Sequence, residues 1–417
     1  MKQTHHIGYV QTPSVKNLSN VKNALVENGL VPLTTPNEML PDAIEKGLKK
    51  LEIHDYGMIY EGKYRIRYFD IDGKILKIEY VAEGGKLTPP AKTPNYDPDY
   101  LIFDEWNYDI ENYVVEQPTD VGAIYKTVDD ATYMFCRFTD LTGLNPTLSA
   151  SGFTSIDWGD GTIDTTNSHT YEKEGNYVIK ISGAFTTSSY PILKLSSGNH
   201  SYPLNKLYLG KTIETIATFA FRSCRSLEIV SLPSTLKAIG QGGFDGCYSI
   251  KHITIPKNIE ANGYNSSSFN NSYTINSISL PMTASKLSLG GYFLAYSSLS
   301  ELIIPKNIKT LNEYTTAQMI SLKKVVIGKD VTDIRKNCFK SCRVLNDVFI
   351  FCNTVPNMVD TSVFDTGVTN YENPKSRIFW VNDDIIEDLK VATNWSTYAS
   401  YMKPLSWYPS LTDPNAE

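Results

Sequence analysis

The sequence predicts a mostly β protein that ends in a solenoid of stacked coils, and three observations predict it. From Leu209 onward an apolar strand position recurs at Leu232, Ile255, Leu280, Ile304, Ile327 and Ile350, at intervals of 23 to 25 residues. Upstream, apolar and polar residues alternate on either side of glycine-bearing turns, which is the period of half-buried strands. Helical spacing is confined to short stretches near the two ends.

Residues 1–63 read as an N-terminal helical segment. Ser14 is placed to cap a helix that carries Val15, Leu18, Val21 and Leu25 on one side and stops at Gly29. Pro41 opens a second short helix with Ile44 and Leu48. Pieces this short do not bury a core by themselves. They suit either an extension packed on the next domain or an anchoring segment that orders on a partner.

Residues 64–127 read as a small β domain. "YRIRYFDIDGKILKIEYV" is a pair of alternating strands around Asp72-Gly73, a hairpin signal. "GGKLTPP", "YLIFDEWNYD" and a closing strand "GAIYKT" follow. With Asp72-Gly73, Gly84-Gly85, Pro89-Pro90, Phe103 and Trp106 in these places, the segment resembles the internalin-type (Listeria–Bacteroides) repeat, although "FDEW" lacks the glycine usual before the tryptophan. Residues 128–184 form the next unit. Asp157-Trp158-Gly159-Asp160-Gly161-Thr162, then His169, Tyr171, Gly175, Tyr177 and Val178, resemble the polycystic-kidney-disease-type domain, which implies a β-sandwich. Its Gly-Asp-Gly turn needs positive φ angles, and aspartates there can accept from turn amides. Asp157, Asp160, Asp164 and His169 could instead be read as a metal cluster; the turn reading is preferred, because carboxylate-rich turns are commonly structural.

Residues 185–375 carry the repeat. Pro233, Pro256, Pro281 and Pro305 follow four of the strand positions, and Gly210 and Gly328 stand in for proline at two others. An aromatic marks the return segment at Phe221, Phe244, Phe269, Phe293, Phe339 and Phe364, and is missing at Thr316-Ala317. A period in the twenties built on leucine-like positions specifies a leucine-rich-repeat solenoid, in which each coil hides its apolar edge only by stacking on the next. "FRSCRSLEIVSLPSTLKAI" and "FDGCYSIKHITIPKNI" resemble the BspA-type leucine-rich repeat. Cys224, Cys247 and Cys342 share one slot of the repeat, and there is no CxxC pair, so the six cysteines are expected as buried free thiols. Residues 376–417 should close the stack. An amphipathic helix with Ile385, Ile386, Leu389, Trp395 and Tyr398 inward is expected, capped by Asn382 or Asp383. The full expectation is thus a mostly β chain: helical segment, small β domain, β-sandwich, leucine-rich-repeat solenoid and C-terminal helical cap.

Composition narrows the function. A net charge of -6 with no basic cluster argues against nucleic-acid binding, and no apolar run is long enough to span a bilayer. The first residues lack the apolar core of a secretory leader. No nucleophile elbow, phosphate loop or zinc-protease motif occurs in a workable context. "GQGGFDG" at 240–246 falls in a repeat turn, and His5-His6 in a polar tail. No catalytic, metal or cofactor-binding residue is therefore expected. Tyr264, Tyr273, Tyr292 and Tyr296 are candidates for sugar stacking on the strand face or turns, with packing as the alternative use. Modules resembling surface adhesins without a leader imply a non-enzymatic bacteriophage virion protein of tail, baseplate or head fibre. Its N-terminal segment would join other virion proteins, its solenoid would face a host surface glycan or protein, and it would be a homo-oligomer in the assembly. A BspA-type bacterial cell-surface adhesin and a polysaccharide-degrading virion enzyme are the alternatives.

Overall fold

The computed structural model describes residues 57–139, 146–148, 150–183, 186–187, 193–194, 203–260, 265–282, 287–365 and 377–408. The described residues all belong to one compact unit, residues 56–417. The two expected N-terminal helices lie outside the described residues, as does Tyr264.

The repeat period becomes coils. Each coil contributes a short strand to one face: Leu204–Tyr208, Ile229–Ser231, His252–Thr254, Ser277–Ser279, Glu301–Ile303, Lys324–Ile327, Asp347–Ile350 and Ile378–Val381. They pair in parallel in three runs, 204–231, 252–279 and 301–381. A second ladder, Ile308–Leu311, Asp333–Ile334 and Asn357–Met358, runs along another side of the coils. In the first five coils the strands end one residue before the expected positions, whereas Ile327 and Ile350 are the last residues of their strands. Leu232, Ile255 and Leu280 lie just past the strand ends, two residues after the strand positions Val230, Ile253 and Ile278. With a side-chain period of two, both members of each pair point inward and both are buried. All six cysteines are free and buried, as expected.

A finer correction concerns the aromatic slot. Backbone hydrogen bonds link the turns coil to coil: Phe221 N to Gly243 O, Phe244 N to Ser268 O, Phe269 N to Phe293 O, Leu294 N to Thr315 O, Thr316 N to Cys338 O and Phe339 N to Val363 O. This register puts Phe221, Phe244, Phe269, Leu294, Thr316, Phe339 and Phe364 in one column. Phe293 is therefore one residue out of the slot, and Leu294 fills it. Ring geometry agrees: Phe221–Phe244, Phe244–Phe269 and Phe339–Phe364 stack within 11° of parallel, whereas Phe293 meets Phe269 edge-on at 86°.

The unit before the coils shares its sheet with them. Thr132–Phe138 pairs antiparallel with Gly175–Ser182 on one side and with Leu204–Tyr208, the first coil strand, on the other. One apolar core runs from Met134 and Trp158 through the coils to Met402.

The small β domain lies against the coils. Lys63–Phe69 and Ile75–Ala82 form the hairpin, with Gly73 at φ +85°, while Leu101–Trp106 and Thr119–Thr127 complete the sheet. This sheet packs flat on the outward side of the coil strands. Gly122 is the point of closest approach, where a Cβ would stand 2.3 Å from Thr254 Oγ1. Asn107 Nδ2 donates to Ile255 O and Ser279 O at 3.2 and 3.0 Å, and Gln117 Nε2 to Ile304 O at 3.0 Å. Arg65 and Arg67 meet Glu301 at 2.6 and 3.1 Å. Burial pushes the Glu301 carboxyl up, but the two guanidiniums outweigh it and hold it below the usual carboxylate range. Farther along, Met58 and Ile59 cluster with Ile303, Val326, Phe349 and Trp380.

The closing element also differs from expectation. All five expected inward residues are buried, but the helix runs only from Ile386 to Val391 and is followed by a 3-10 helix, Trp395–Tyr401. Asn394, at φ +67°, precedes the second piece. Neither expected cap residue caps the helix. Ile385 is at the N-cap without a side-chain bond; Asn382 instead bonds Cys352 O, and Asp383 accepts from Ser406. Met402–Pro404 then adds one more parallel strand to the ladder. Among the described residues no helix is long and apolar enough to cross a membrane.

Candidate functional site

The strand face is the natural contact surface of such a coil stack, but here it is occupied. Its outward residues Ser231, Thr254, Ser279, Ile303, Val326 and Trp380 are all buried under the β domain and the C-terminal segment. The turn face carries the exposed side chains instead.

Backbone geometry makes this face regular. Each turn holds two left-handed residues four apart: Phe219 and Ser223, Gly242 and Gly246, Ser267 and Asn271, Tyr292 and Tyr296, Tyr314 and Gln318, Asn337 and Ser341. Non-glycine residues seldom adopt this conformation, so its recurrence shows the stacking overriding local preference. Just beyond the second left-handed position a solvent-facing column runs Arg225, Tyr248, Tyr273, Ser298, Ile320 and Arg343, in register with the phenylalanine column. Hydroxyls of the following coil pin its backbone. Ser249 donates to Arg225 O at 2.7 Å, Thr274 to Tyr248 O at 2.5 Å, and Ser298 to Tyr273 O.

Rings line up along this column. The Arg225 guanidinium lies 5.3 Å from the Tyr248 ring centre. Tyr248 and Tyr273 are 5.4 Å apart, Tyr273 and Tyr296 6.1 Å, and a second pair, Tyr292 and Tyr314, stacks at 4.8 Å and 6°. Tyr273 and Tyr292 remain 47% and 39% exposed, which separates them from core tyrosines such as Tyr125 at 1%. Burial, then the neighbouring phenols, pushes the Tyr273 and Tyr292 hydroxyls above their ordinary range. Gln318 Nε2 donates to the Tyr296 hydroxyl at 2.7 Å.

Three of the sequence-derived candidates, Tyr273, Tyr292 and Tyr296, therefore meet on one surface, on the turns rather than the strands. Tyr248, Tyr314 and Arg225 were missed by sequence reasoning. For Arg225 and Tyr248 the signal was present in the offset from the phenylalanine slot that they share with Tyr273.

The acidic residues of the 157–169 segment act as turn acceptors. Asp157 accepts from Gly159 N, Asp160 from Thr162 N and Asp164 from Thr166 N, at 2.9 to 3.0 Å. His169 Nε2 sits 2.7 Å from Asp160 Oδ2, and its ring stacks on Trp158. Among the described residues no group of His, Cys, Asp and Glu is arranged to hold a metal ion.

Residues 199–315 and 265–368 match the model of the BspA type leucine-rich repeat region, in six copies. No curated protein matches the chain. Among solved structures, the chain is similar to a leucine-rich repeat protein of T. pallidum, at 24% identity and a TM-score of 0.33, over 38% of this chain and 82% of that one. It is also similar to a leucine-rich repeat protein of Bacteroides ovatus, at 18% identity and a TM-score of 0.23, over 42% of this chain and 55% of that one, little more than half its length. The pneumococcal vaccine antigen PcpA is matched at 13% identity and a TM-score of 0.26, over 52% of this chain and 82% of that one.

Proposed function

We propose that this repeat protein is a non-catalytic attachment protein in which the turn face of the coils, rather than their strand face, meets the partner. The observation that carries this reading is the pairing of a buried strand face with an exposed row of tyrosines. Side chains that are fixed by stacking and offered to solvent lose little entropy on binding, which suits recognition. The resemblance of residues 64–127 and 128–184 to adhesive surface modules supports the same reading. So does the mutual coverage of the acidic and histidine side chains, which here serve turns and interfaces.

The setting is a surface outside the cell: a bacteriophage virion, with the bacterial cell surface as the other placement. Mass spectrometry of purified particles against protease shaving of intact cells separates the two. On the virion reading, residues 1–50 serve as the anchor. A chain lacking them is expected to stay folded and monodisperse but to be missing from the assembled particle; normal incorporation refutes the anchor.

Attachment itself is tested by binding of fluorescently labelled protein to a panel of gut bacterial cells and to mucin-coated surfaces. Tyr248→Ser with Tyr273→Ser should lower binding about tenfold, the scale of losing central aromatic contacts. Unchanged binding by that variant would overturn the turn-face reading.

A further inference from the structure

The arrangement of the tyrosines says what they can hold. Neighbouring rings lie 4.8 to 6.1 Å apart: Tyr292 and Tyr314 stack face to face at 6°, Tyr248 and Tyr273 are tilted by 37°, and Tyr273 meets Tyr296 edge to face at 82°. Part of each ring is thus taken by its neighbour, and edges and hydroxyls are part of what the row offers to solvent. A ring edge is the positive part of the aromatic quadrupole, and a phenol hydrogen is a donor. Gln318 occupies the oxygen of Tyr296 as a donor, which directs that hydroxyl's own hydrogen to an outside acceptor. Among the described residues the ends of the column are Arg225 and Arg343, both exposed. The nearest acids do not reverse this sign. Asp245 is met by Arg222 at 3.1 Å and by the side-chain amides of Asn270 and Asn271, and Glu313 stands to the flank beside Tyr292.

We propose that this row binds an extended acidic polysaccharide, a chain of uronate- or sulfate-bearing sugars laid along the stacking direction with Arg225 and Arg343 at its two ends. This ligand class rests on the attachment reading above. From Arg225 the column steps through positions 248, 273, 298 and 320 to 343, a span of about 24 Å at the spacing of neighbouring strands. One column side chain per coil matches the rise of one pyranose in an extended glycan. An extended peptide does not match it, since its side chains return to one face only every second residue, about 6.8 Å apart. Phenols ordinarily stay protonated at neutral pH, and burial raises those of Tyr273 and Tyr292 further; the Tyr273 hydroxyl also donates to Asn271 Oδ1 at 3.4 Å.

The test is calorimetric titration of the full chain with polygalacturonate, chondroitin sulfate, dextran and poly-glutamate. At least one of the two acidic glycans should bind, and dextran and poly-glutamate should not. Binding should weaken with salt, as exposed charge pairing does. Arg225→Ala with Arg343→Ala, and Tyr248→Ser with Tyr273→Ser, should each weaken it at least about fivefold. The sites are exposed, so melting temperatures should stay unchanged, and a variant that keeps its melting temperature is a valid comparison. Absence of binding to both acidic glycans, equal binding of poly-glutamate, or full affinity in the two double variants overturns the ligand class. Loss of cell attachment in the tyrosine variant alongside silence towards all four polymers overturns only the ligand class. Undiminished cell attachment in that variant overturns the attachment reading itself.

Discussion

His252 sits where the β domain meets the coils, and its environment makes the contact acid-sensitive. Its Nδ1 and Nε2 lie 2.7 and 3.0 Å from the hydroxyls of Ser277 and Thr254, and the ring stacks on Phe69. Burial, with the positive charge of Arg67 second, lowers its pKa from 6.5 to about 3. A base depressed in the folded state leaves stability intact above about pH 6.5. Below that the unfolded chain takes up the proton first, and stability falls until the folded histidine is protonated too, near pH 3. The slope from this one group is about 1.4 kcal/mol per pH unit. Denaturant melts between pH 7 and 4 should show it, and His252→Asn should flatten that component; an unaltered slope rejects the assignment. The cysteines are silent for a related reason. Burial pushes Cys224, Cys342 and Cys352 up to about 12, and the other three thiols are also raised. A thiol reagent at pH 8 should therefore label none of the six rapidly in the folded chain and all six in denaturant.

The coil is the element that repeats, and its inner columns hold it together. Phe244 lies between Phe221 and Phe269 at 5.2 and 5.4 Å and is fully buried. Phe244→Ala empties the middle of a stack and should cost about 3–5 kcal/mol, read from denaturant midpoints at unchanged slope. The neighbouring slot runs Cys224, Cys247, Ser272, Ser297, Met319 and Cys342, and three of these side chains cap a carbonyl of the previous coil. Cys247 and Cys342 donate to Phe221 O and Thr316 O at 3.2 Å, and Ser272 donates to Phe244 O at 3.2 Å. The misplaced Phe293 has an equally local cause. With Phe293 and Leu294 adjacent, either could fill the slot by type, and only the coil-to-coil hydrogen bonds fix which one does.

At the scale of the whole described unit, the decisive contact is between the β domain and the strand face. Gly122 against Thr254 leaves no room for a side chain. Gly122→Val should lift the sheet locally, and hydrogen exchange at 252–254 and 277–279 should rise by at least about tenfold, the effect of losing 1.4 kcal/mol of local protection. Exchange that stays at the parent rate would show the sheet does not lie there. The bonded partners are far apart in sequence: Asn107 with Ser279, Gln117 with Ile304, Arg65 with Glu301. No local pattern announces such pairs, because an arginine in an alternating strand looks solvent-facing until a carboxylate 236 residues away is placed beside it.

By itself the sequence determined the strands, the Asp72-Gly73 hairpin and the coil period, because each depends on neighbours a few residues away or on a spacing repeated often enough to be unmistakable. Only the tertiary structure decided which face of the coils is open. That choice depends on close packing between distant surfaces, here Gly122 of one sheet against the serine- and threonine-bearing strands of another, and of the strand face and the turns that the sequence left open it leaves the tyrosine-bearing turns as the candidate contact surface.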